Sequence, residues 1–543
     1  MASALADHDA APARSGRVRV LAVAATFVIV VIIALVVAVL AWSGVTLASD
    51  STALARVSVQ PLGGTIERVQ AFGPGGQRVP LAIHEGRLTP LTLLTPGEQV
   101  SVNVVVRRPG WLSWALGSQR SEHLTLHAPV AQLSERWMTV TAGSAVRISF
   151  DQPVSAVSYG SPGHLLQRKL RVPQSSISIG TQASTGAIAV AAAPRSWEKT
   201  GPPGLISWFP PSQSPVMVSV PAAGTRISPA TPIDLTFSKP VSEVLGSNRP
   251  RLSPHTPGKW RETSSHTLVF TPSGLGAALD SPLRIELPRD VAVTAGARGL
   301  RNTSQLEWTV PPGSTLRLQQ LLAEAGYLPV DWHAAGAAVA RTPSAEAQAA
   351  VQAPAGSFGW RYPNTPQQLQ AMWSPGQWGE ITKGAVMKFE NENELTVDGL
   401  PGPTVWHALL GDAIAGKRLT SGYSYVYVHR EVPETATLWH NGRTIISSPA
   451  NTGISGAETE LGSFAVFEHL PETTMSGTNP DGSHYEDPGI KWVSYFNGGD
   501  ALHNFDRSSF GTPQSLGCVE LPLAASAEIW PYTPIGTLVT IET

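Results

Sequence analysis

The chain has one cysteine, Cys518, in the segment Ser515-Leu-Gly-Cys-Val-Glu-Leu521, fifteen residues after the histidine of Ala501-Leu-His-Asn-Phe-Asp506. A thiol becomes a useful nucleophile when a neighbouring base or cation stabilises its thiolate, and an imidazole within hydrogen-bond reach does both. Cys518 is therefore read as a nucleophile and His503 as its general base. Acyl transfer also needs donors for a developing oxyanion. A glycine lets backbone come close, so Ser515, Gly517 and Asn504 are the expected supporting groups. The bland reading of a lone cysteine, a buried and inert small residue, stays open beside this one. With no second cysteine in the chain, an intramolecular disulfide is excluded.

Other chemistries find little support. There is no His-Glu-x-x-His string and no cysteine cluster with zinc spacing, so neither a metal nor a cofactor is expected. His469 and His484 sit in Pro- and Gly-rich surroundings that read as surface loops. Ser196-Trp-Glu-Lys-Thr-Gly201 contains a Ser-x-x-Lys and a Lys-Thr-Gly string that share one lysine. Serine acyltransferases keep these two strings apart because they supply different groups, so the overlap reads as coincidence in a loop. A papain-like arrangement would place the cysteine early and the histidine far downstream, the reverse of the order seen.

The elements that must position the pair are strands. Thr437-Leu-Trp-His440, Asn441-Gly442 and Arg443-Thr-Ile-Ile-Ser447 predict a β-hairpin, because Asn-Gly occupies both positive-φ sites of a type I′ turn. Downstream, the residues around His503, the Cys518 segment and Ile535-Gly-Thr-Leu-Val-Thr-Ile541 read as strand, loop and strand. From residue 423 onward, this pattern resembles an L,D-transpeptidase catalytic domain of the YkuD type. The marks are the opening hairpin, Thr452-Gly453, Thr459-Glu-Leu-Gly-Ser-Phe464, the Leu-His pair and Ser-x-Gly-Cys-Val-x-Leu. The resemblance implies a peptidoglycan enzyme whose cysteine attacks the carbonyl of the third residue of a tetrapeptide stem and expels the terminal D-Ala. The resulting thioester passes to the amine of a neighbouring stem as a 3-3 cross-link. It implies Cys518 as nucleophile, His503 as base and acid, peptidoglycan stem peptides as partners, and acylation by carbapenems. Leu516 stands where the family usually has His, Glu520 where Asn or Arg is usual, and Asn504 where Gly or Ser is common. The His503 to Ser515 interval is also shorter than usual. Leu516 is the feature that favours the alternative, a non-catalytic envelope protein that binds peptidoglycan.

At 543 residues the chain is too long for one core. Its 50 Gly and 46 Pro punctuate short Val, Ile, Leu, Thr and Ser runs, which predicts a mainly β, multidomain protein. A net charge of -2 with 14% charged residues is unsuited to phosphate neutralisation, so nucleic acid is not an expected partner. Residues 20–42 carry no charge and suffice for one transmembrane helix. Arg14, Arg17 and Arg19 precede it, so the positive-inside rule puts residues 1–19 in the cytoplasm and the bulk of the chain in the cell-wall zone. A cleaved signal peptide is the competing reading, although its apolar region would be shorter.

Val146-Arg-Ile-Ser-Phe-Asp-Gln-Pro-Val154 and Ile233-Asp-Leu-Thr-Phe-Ser-Lys-Pro-Val241 are one phrase written twice. They resemble strands of bacterial Ig-like β-sandwiches, which divides the chain into a β-sandwich-like module at 51–128 and Ig-like domains at 129–215 and 216–311. Each phrase is expected to end its strand at the proline. Residues 312–412 resemble a small three-helix peptidoglycan-binding-like domain through Leu318-Gln-Gln-Leu, Gly326-Tyr, residues 385–389 and Val397-Asp-Gly. That domain carries an insertion of roughly fifty residues with Trp332, Trp360, Trp373 and Trp378. Residues 423–543 are, by the resemblance, expected to form the catalytic domain.

Overall fold

The structure, a computed structural model, describes residues 15–141, 143–181, 185–294, 300–301 and 305–543. Helix α1 (Ser15–Trp42) contains the window Ala24–Trp42, with mean hydropathy 3.2 and no buried residue, which is long and apolar enough to cross a membrane. Most of the expected cytoplasmic tail, residues 1–14, lies outside the described residues. The rest is mainly β and falls into two compact units, Met1–Pro211 and Ser212–Thr543.

In the first unit the strand Gln99–Arg107 alternates strictly, with Val100, Val102, Val104 and Val106 fully buried. That period of two is what a strand with one core face requires. It sits in a four-stranded sheet, and a second four-stranded sheet covers the same core. A separate five-stranded sheet contains the first copy of the repeated phrase, in the strand Ala145–Ser161. Here Pro153 does not end the strand, as the sequence suggested. The ladder slips register between Ser149 and Val154 and then resumes, so the residue without an N–H falls in a bulge. The Ser196–Gly201 region is structural: Trp197 is buried in the first core and its indole donates to the Thr52 carbonyl.

In the second unit the repeated phrase forms the strand Ile233–Phe237, whose Ile233, Leu235 and Phe237 are fully buried, and Pro240 follows the strand as expected. Helices α2 (Thr315–Glu324), α3 (Pro343–Val351), α4 (Glu380–Glu392) and α5 (Pro403–Ala415) come next. Ser314 caps α2 by accepting from the Arg317 amide. The insertion folds as a hairpin, Val330–Ala334 with Gly356–Trp360, together with α3. Trp332, Trp360 and Trp373 pack against the main core, while Trp378 is exposed. One hydrophobic core runs from Met217 through the helices to Tyr425, Trp439 and Leu538, so the helical segment packs directly on the C-terminal sheet that holds those residues. Helix α4 meets the last sheet at Gly384. A Cβ there would sit 2.6 Å from the Gly536 carbonyl oxygen, so only glycine permits the approach.

The C-terminal region holds two sheets. Strands β1 (Ser424–His429), β2 (Thr435–His440), β3 (Arg443–Pro449), β4 (Gly462–Ala465) and β9 (Leu538–Glu542) pair in the order β3-β2-β1-β9-β4. The β2-β3 turn is Asn441-Gly442 with both residues at positive φ, as Asn-Gly requires. The second sheet has the order β5-β6-β7-β8, from β5 (Glu468–Thr478), β6 (His484–Asn497), β7 (Asp500–Asn504) and β8 (Val519–Leu521). Between the sheets lie Val426, Leu438, Phe496, Leu502, Val519, Leu521 and Val539.

Candidate active site

Strands β7 and β8 are parallel neighbours with Leu502 opposite Val519 and His503 opposite Glu520. Strand alternation then sorts the side chains. Leu502 and Val519 enter the core, while His503 and Glu520 line a cleft of about 600 Å³ on the other face. Cys518 lies one residue before β8 and opens into the same cleft with Ser515 and Leu516. The structure thus brings the sequence-predicted cysteine and histidine to one cavity.

His503 is buried, and its Nδ1 lies 2.8 Å from the Asn504 carbonyl oxygen. A carbonyl can only accept, so Nδ1 carries the proton and Nε2 keeps its lone pair. Burial lowers the imidazole below its ordinary value, keeping it neutral and able to accept a proton. Asn504 contributes through this carbonyl. Its side chain is not among the cleft-lining groups, and its Nδ2 is buried without a hydrogen-bond partner.

The half-buried Cys518 thiol has its sulfur 3.6 Å from the Gly499 carbonyl oxygen. Burial, reinforced by the Asp500 and Glu520 carboxylates, pushes it up to about 12 despite a hydrogen bond from the Ala501 amide. Cysteine and histidine in the free site are therefore both neutral. Ser515 staples the loop: its hydroxyl donates to the Cys518 carbonyl at 2.5 Å and accepts from the Gly517 amide at 3.3 Å. Gly517 has φ +116, and a Cβ on it would lie 2.2 Å from Asp500 Oδ1. The positive φ is what favours glycine there; the Asp500 carboxylate would also have to move to admit a Cβ.

The loop before Ser515 is held by Thr452 and Gly453. The Gln514 and Ser515 amides donate to the Thr452 carbonyl, and Gly453 bridges Ser515. Thr452 is fixed in turn by the buried Glu434 carboxylate, which accepts from its amide and its hydroxyl, both at 2.6 Å. The Gly453 amide donates to Thr459 Oγ1. The two threonines noted in the sequence thus buttress the cysteine loop from behind.

Several cleft groups escaped sequence reasoning. The β5-β6 hairpin forms a wall that presents Met475, Tyr485, Asp487 and Tyr495. Burial raises the Asp500 carboxyl to about 6. Glu520, which in the sequence is only a departure, is a buried acceptor for Arg507, with Nε to Oε2 at 2.8 Å and Nη2 to Oε1 at 2.6 Å. Arg507 also donates to the Gln514 carbonyl and lies over the Phe505 ring at 4.5 Å. No local pattern marks these partners. They are thirteen residues apart, and only the crossing of the loop back onto β8 makes them meet. Among the described residues, no group of three or more His, Cys, Asp or Glu side chains is placed to hold an ion. His469 corrects its sequence reading. It lies in β5 rather than a surface loop, stacked on Trp530 at 4.2 Å between centroids, and burial lowers it to about 4.

No curated protein matches the chain. Among solved structures it is similar to an L,D-transpeptidase from Mycobacterium smegmatis, at 12% identity over 60% of this chain and 97% of that one, with TM-score 0.20. It is also similar to the catalytic domain of the E. faecium L,D-transpeptidase, at 24% identity over 22% of this chain and 96% of that one, with TM-score 0.21. A third is L,D-transpeptidase 3 from Mycobacterium tuberculosis in complex with a faropenem-derived adduct, at 10% identity over 60% and 97%, with TM-score 0.21. The YkuD family model, described as the L,D-transpeptidase catalytic domain, matches residues 423–541, the span that contains both sheets and the cleft. Residues 423–541 are an L,D-transpeptidase catalytic domain of the YkuD family.

Proposed function

We propose that this chain is a peptidoglycan L,D-transpeptidase that forms 3-3 cross-links through a thioester on Cys518. The observation that supports it most is the shared cleft of Cys518 and His503 on adjacent strands, with the His503 tautomer set by the Asn504 carbonyl. A neutral imidazole with a free Nε2 suits a general base, and a thiol raised to about 12 needs one.

In the acylation half, the Cys518 sulfur attacks the carbonyl carbon of the third stem residue while His503 Nε2 takes the thiol proton. The carbon–nitrogen bond to the terminal D-Ala breaks, and the departing amine takes that proton from His503. In the second half, a neighbouring stem amine attacks the thioester carbonyl, His503 removes its extra proton, and the sulfur leaves as the thiol. Backbone N–H groups flanking Cys518 stabilise each oxyanion, in the loop that Ser515 and Gly517 shape. A carbapenem enters the first half as an acyl donor. Its ring C–N bond opens, and the acyl group stays on sulfur.

Helix α1 is read as a single-pass anchor with residues 1–19 in the cytoplasm and the remainder in the wall zone. The β modules before residue 311 are Ig-like spacers, and residues 312–412 are a peptidoglycan-binding-like support for the catalytic sheets. A second reading, a non-catalytic wall-binding protein, is favoured by Leu516, which puts an apolar side chain in the cleft. Intact mass after incubation with a carbapenem separates the two. A single adduct that is absent in Cys518→Ala and slowed in His503→Ala supports the enzyme; an unmodified folded wild type refutes it.

A further inference from the structure

The insertion in the helical segment builds a second cavity, of about 230 Å³, that the transpeptidase chemistry does not use. It lies between α2, α5 and the loop joining Val330–Ala334 to α3, and Trp332 forms part of its wall. Sites that enclose a whole drug-sized ligand run from roughly 300 to 1,000 Å³, so this one is sized for a head group.

Its charge is uneven. Arg317, Arg341, Lys417 and Arg418 line it against two carboxylates, Glu324 and Glu346. Arg317 is 1% exposed and bonds Glu346 at 2.7 Å and Gln320 at 3.2 Å, yet its Nε is buried with no acceptor. Lys417 is occupied by Asp412, at 2.7 Å. Among the described residues, neither Arg341 nor Arg418 makes a hydrogen bond or a salt bridge. Glu324, whose carboxyl is raised by burial, is the carboxylate that acts electrostatically on Arg317, Arg418 and Arg341. The Arg341 guanidinium lies at the end of α5. It covers Gly416, the left-handed C-cap of α5, where a Cβ would lie 2.8 Å from Nη1.

We propose that this pocket binds an oxyanion, a carboxylate or a phosphate, through the guanidinium groups of Arg341 and Arg418 above the buried Arg317. Planar guanidinium groups match either oxyanion in bidentate fashion, and the buried Nε is a donor that lacks an acceptor. The ligand's remaining atoms lie outside the cavity, which suits an anionic group carried on a larger molecule. The inference is independent of the chemistry at Cys518.

The test is a titration of the full chain in detergent, followed by tryptophan fluorescence, with Trp332→Phe assigning the signal. Two probes distinguish the sources: inorganic phosphate, and a stem tetrapeptide with free carboxylates. Saturable change with either probe, lost in Trp332→Phe and weakened at least about tenfold in Arg341→Gln/Arg418→Gln, supports the site. No saturable change with either probe, or equal binding by the double variant, overturns it. Carbapenem adduct formation and melting temperature are read in parallel. An unchanged melt in the double variant assigns its loss of binding to the pocket, and the single Arg418→Gln variant gives a second check if the double one melts early.

Discussion

Cys518 is expected to be an unusually sluggish thiol toward small reagents, even though it is the proposed nucleophile. Its thiol is raised from an ordinary 9.0 to about 12, chiefly by burial. At pH 7.5 an ordinary thiol is roughly 3% thiolate and this one roughly 3 parts in 100,000, about a thousandfold less. The more basic thiolate recovers part of that loss. With a Brønsted slope near 0.4–0.5, three pH units restore about 16- to 32-fold, leaving exchange with a neutral aromatic disulfide about 30- to 60-fold slower than for an ordinary cysteine. The assay is the initial rate of mixed-disulfide formation on folded protein, from pH 6 to 10, against a small-thiol standard. The rate should climb about tenfold per pH unit without a plateau. The carbapenem should nevertheless acylate Cys518 at pH 7.5, because bound substrate lets His503 Nε2 take the proton during attack. A plateau in the disulfide rate below about pH 9 would falsify the neutral-pair argument and indicate a thiolate–imidazolium pair already formed in the free site.

Four further outcomes follow from the same geometry. Asp500→Asn removes a carboxylate that raises the thiol, so disulfide exchange should speed up several-fold above pH 7. The advantage should vanish below about pH 5, because the wild-type carboxyl, raised to about 6, is then neutral anyway. Arg507→Gln strands the buried Glu520 and should cost about 2–4 kcal/mol in denaturant unfolding; Glu520→Gln, which leaves a partly exposed arginine, should cost less. Equal losses would count against a buried pair. Because His469 is lowered from 6.5 to about 4, the unfolded chain binds the extra proton first as pH falls, so its stabilisation is present above pH 6.5 and shrinks toward pH 4. Because His469 is only partly buried, solvent screening reduces the effect to about 1–2 kcal/mol lost over that window, and His469→Phe should flatten that part of a melting curve measured against pH. Gly384→Ala places a methyl 2.6 Å from the Gly536 carbonyl and should cost about 1–3 kcal/mol, with an unchanged melting temperature refuting the tight α4 contact.

Much of the architecture is legible in local pattern. Val100 to Val106 alternates because one strand face is buried, and Asn441-Gly442 turns the β2-β3 hairpin because both residues must take positive φ. Cys518, His503, Ser515 and Gly517 are singled out as candidates by type and spacing, since a thiol, a base and a flexible close backbone are chemical needs that only a few residues meet, and the structure places Cys518, His503 and Ser515 around one cleft. Tertiary structure alone decided the rest. The register of β7 against β8 sets His503 beside Glu520 and turns Glu520 from an oddity into the partner of Arg507. The β5-β6 hairpin brings Tyr485 and Asp487 over the cleft, and the tryptophan-rich insertion joins a core that also holds Leu538. Side-chain period and turn chemistry act over a few residues, so a sequence carries them openly. Which strand lies beside which, and hence how a thiol or an imidazole is solvated and charged, depends on contacts between distant segments, and it is settled only when they pack.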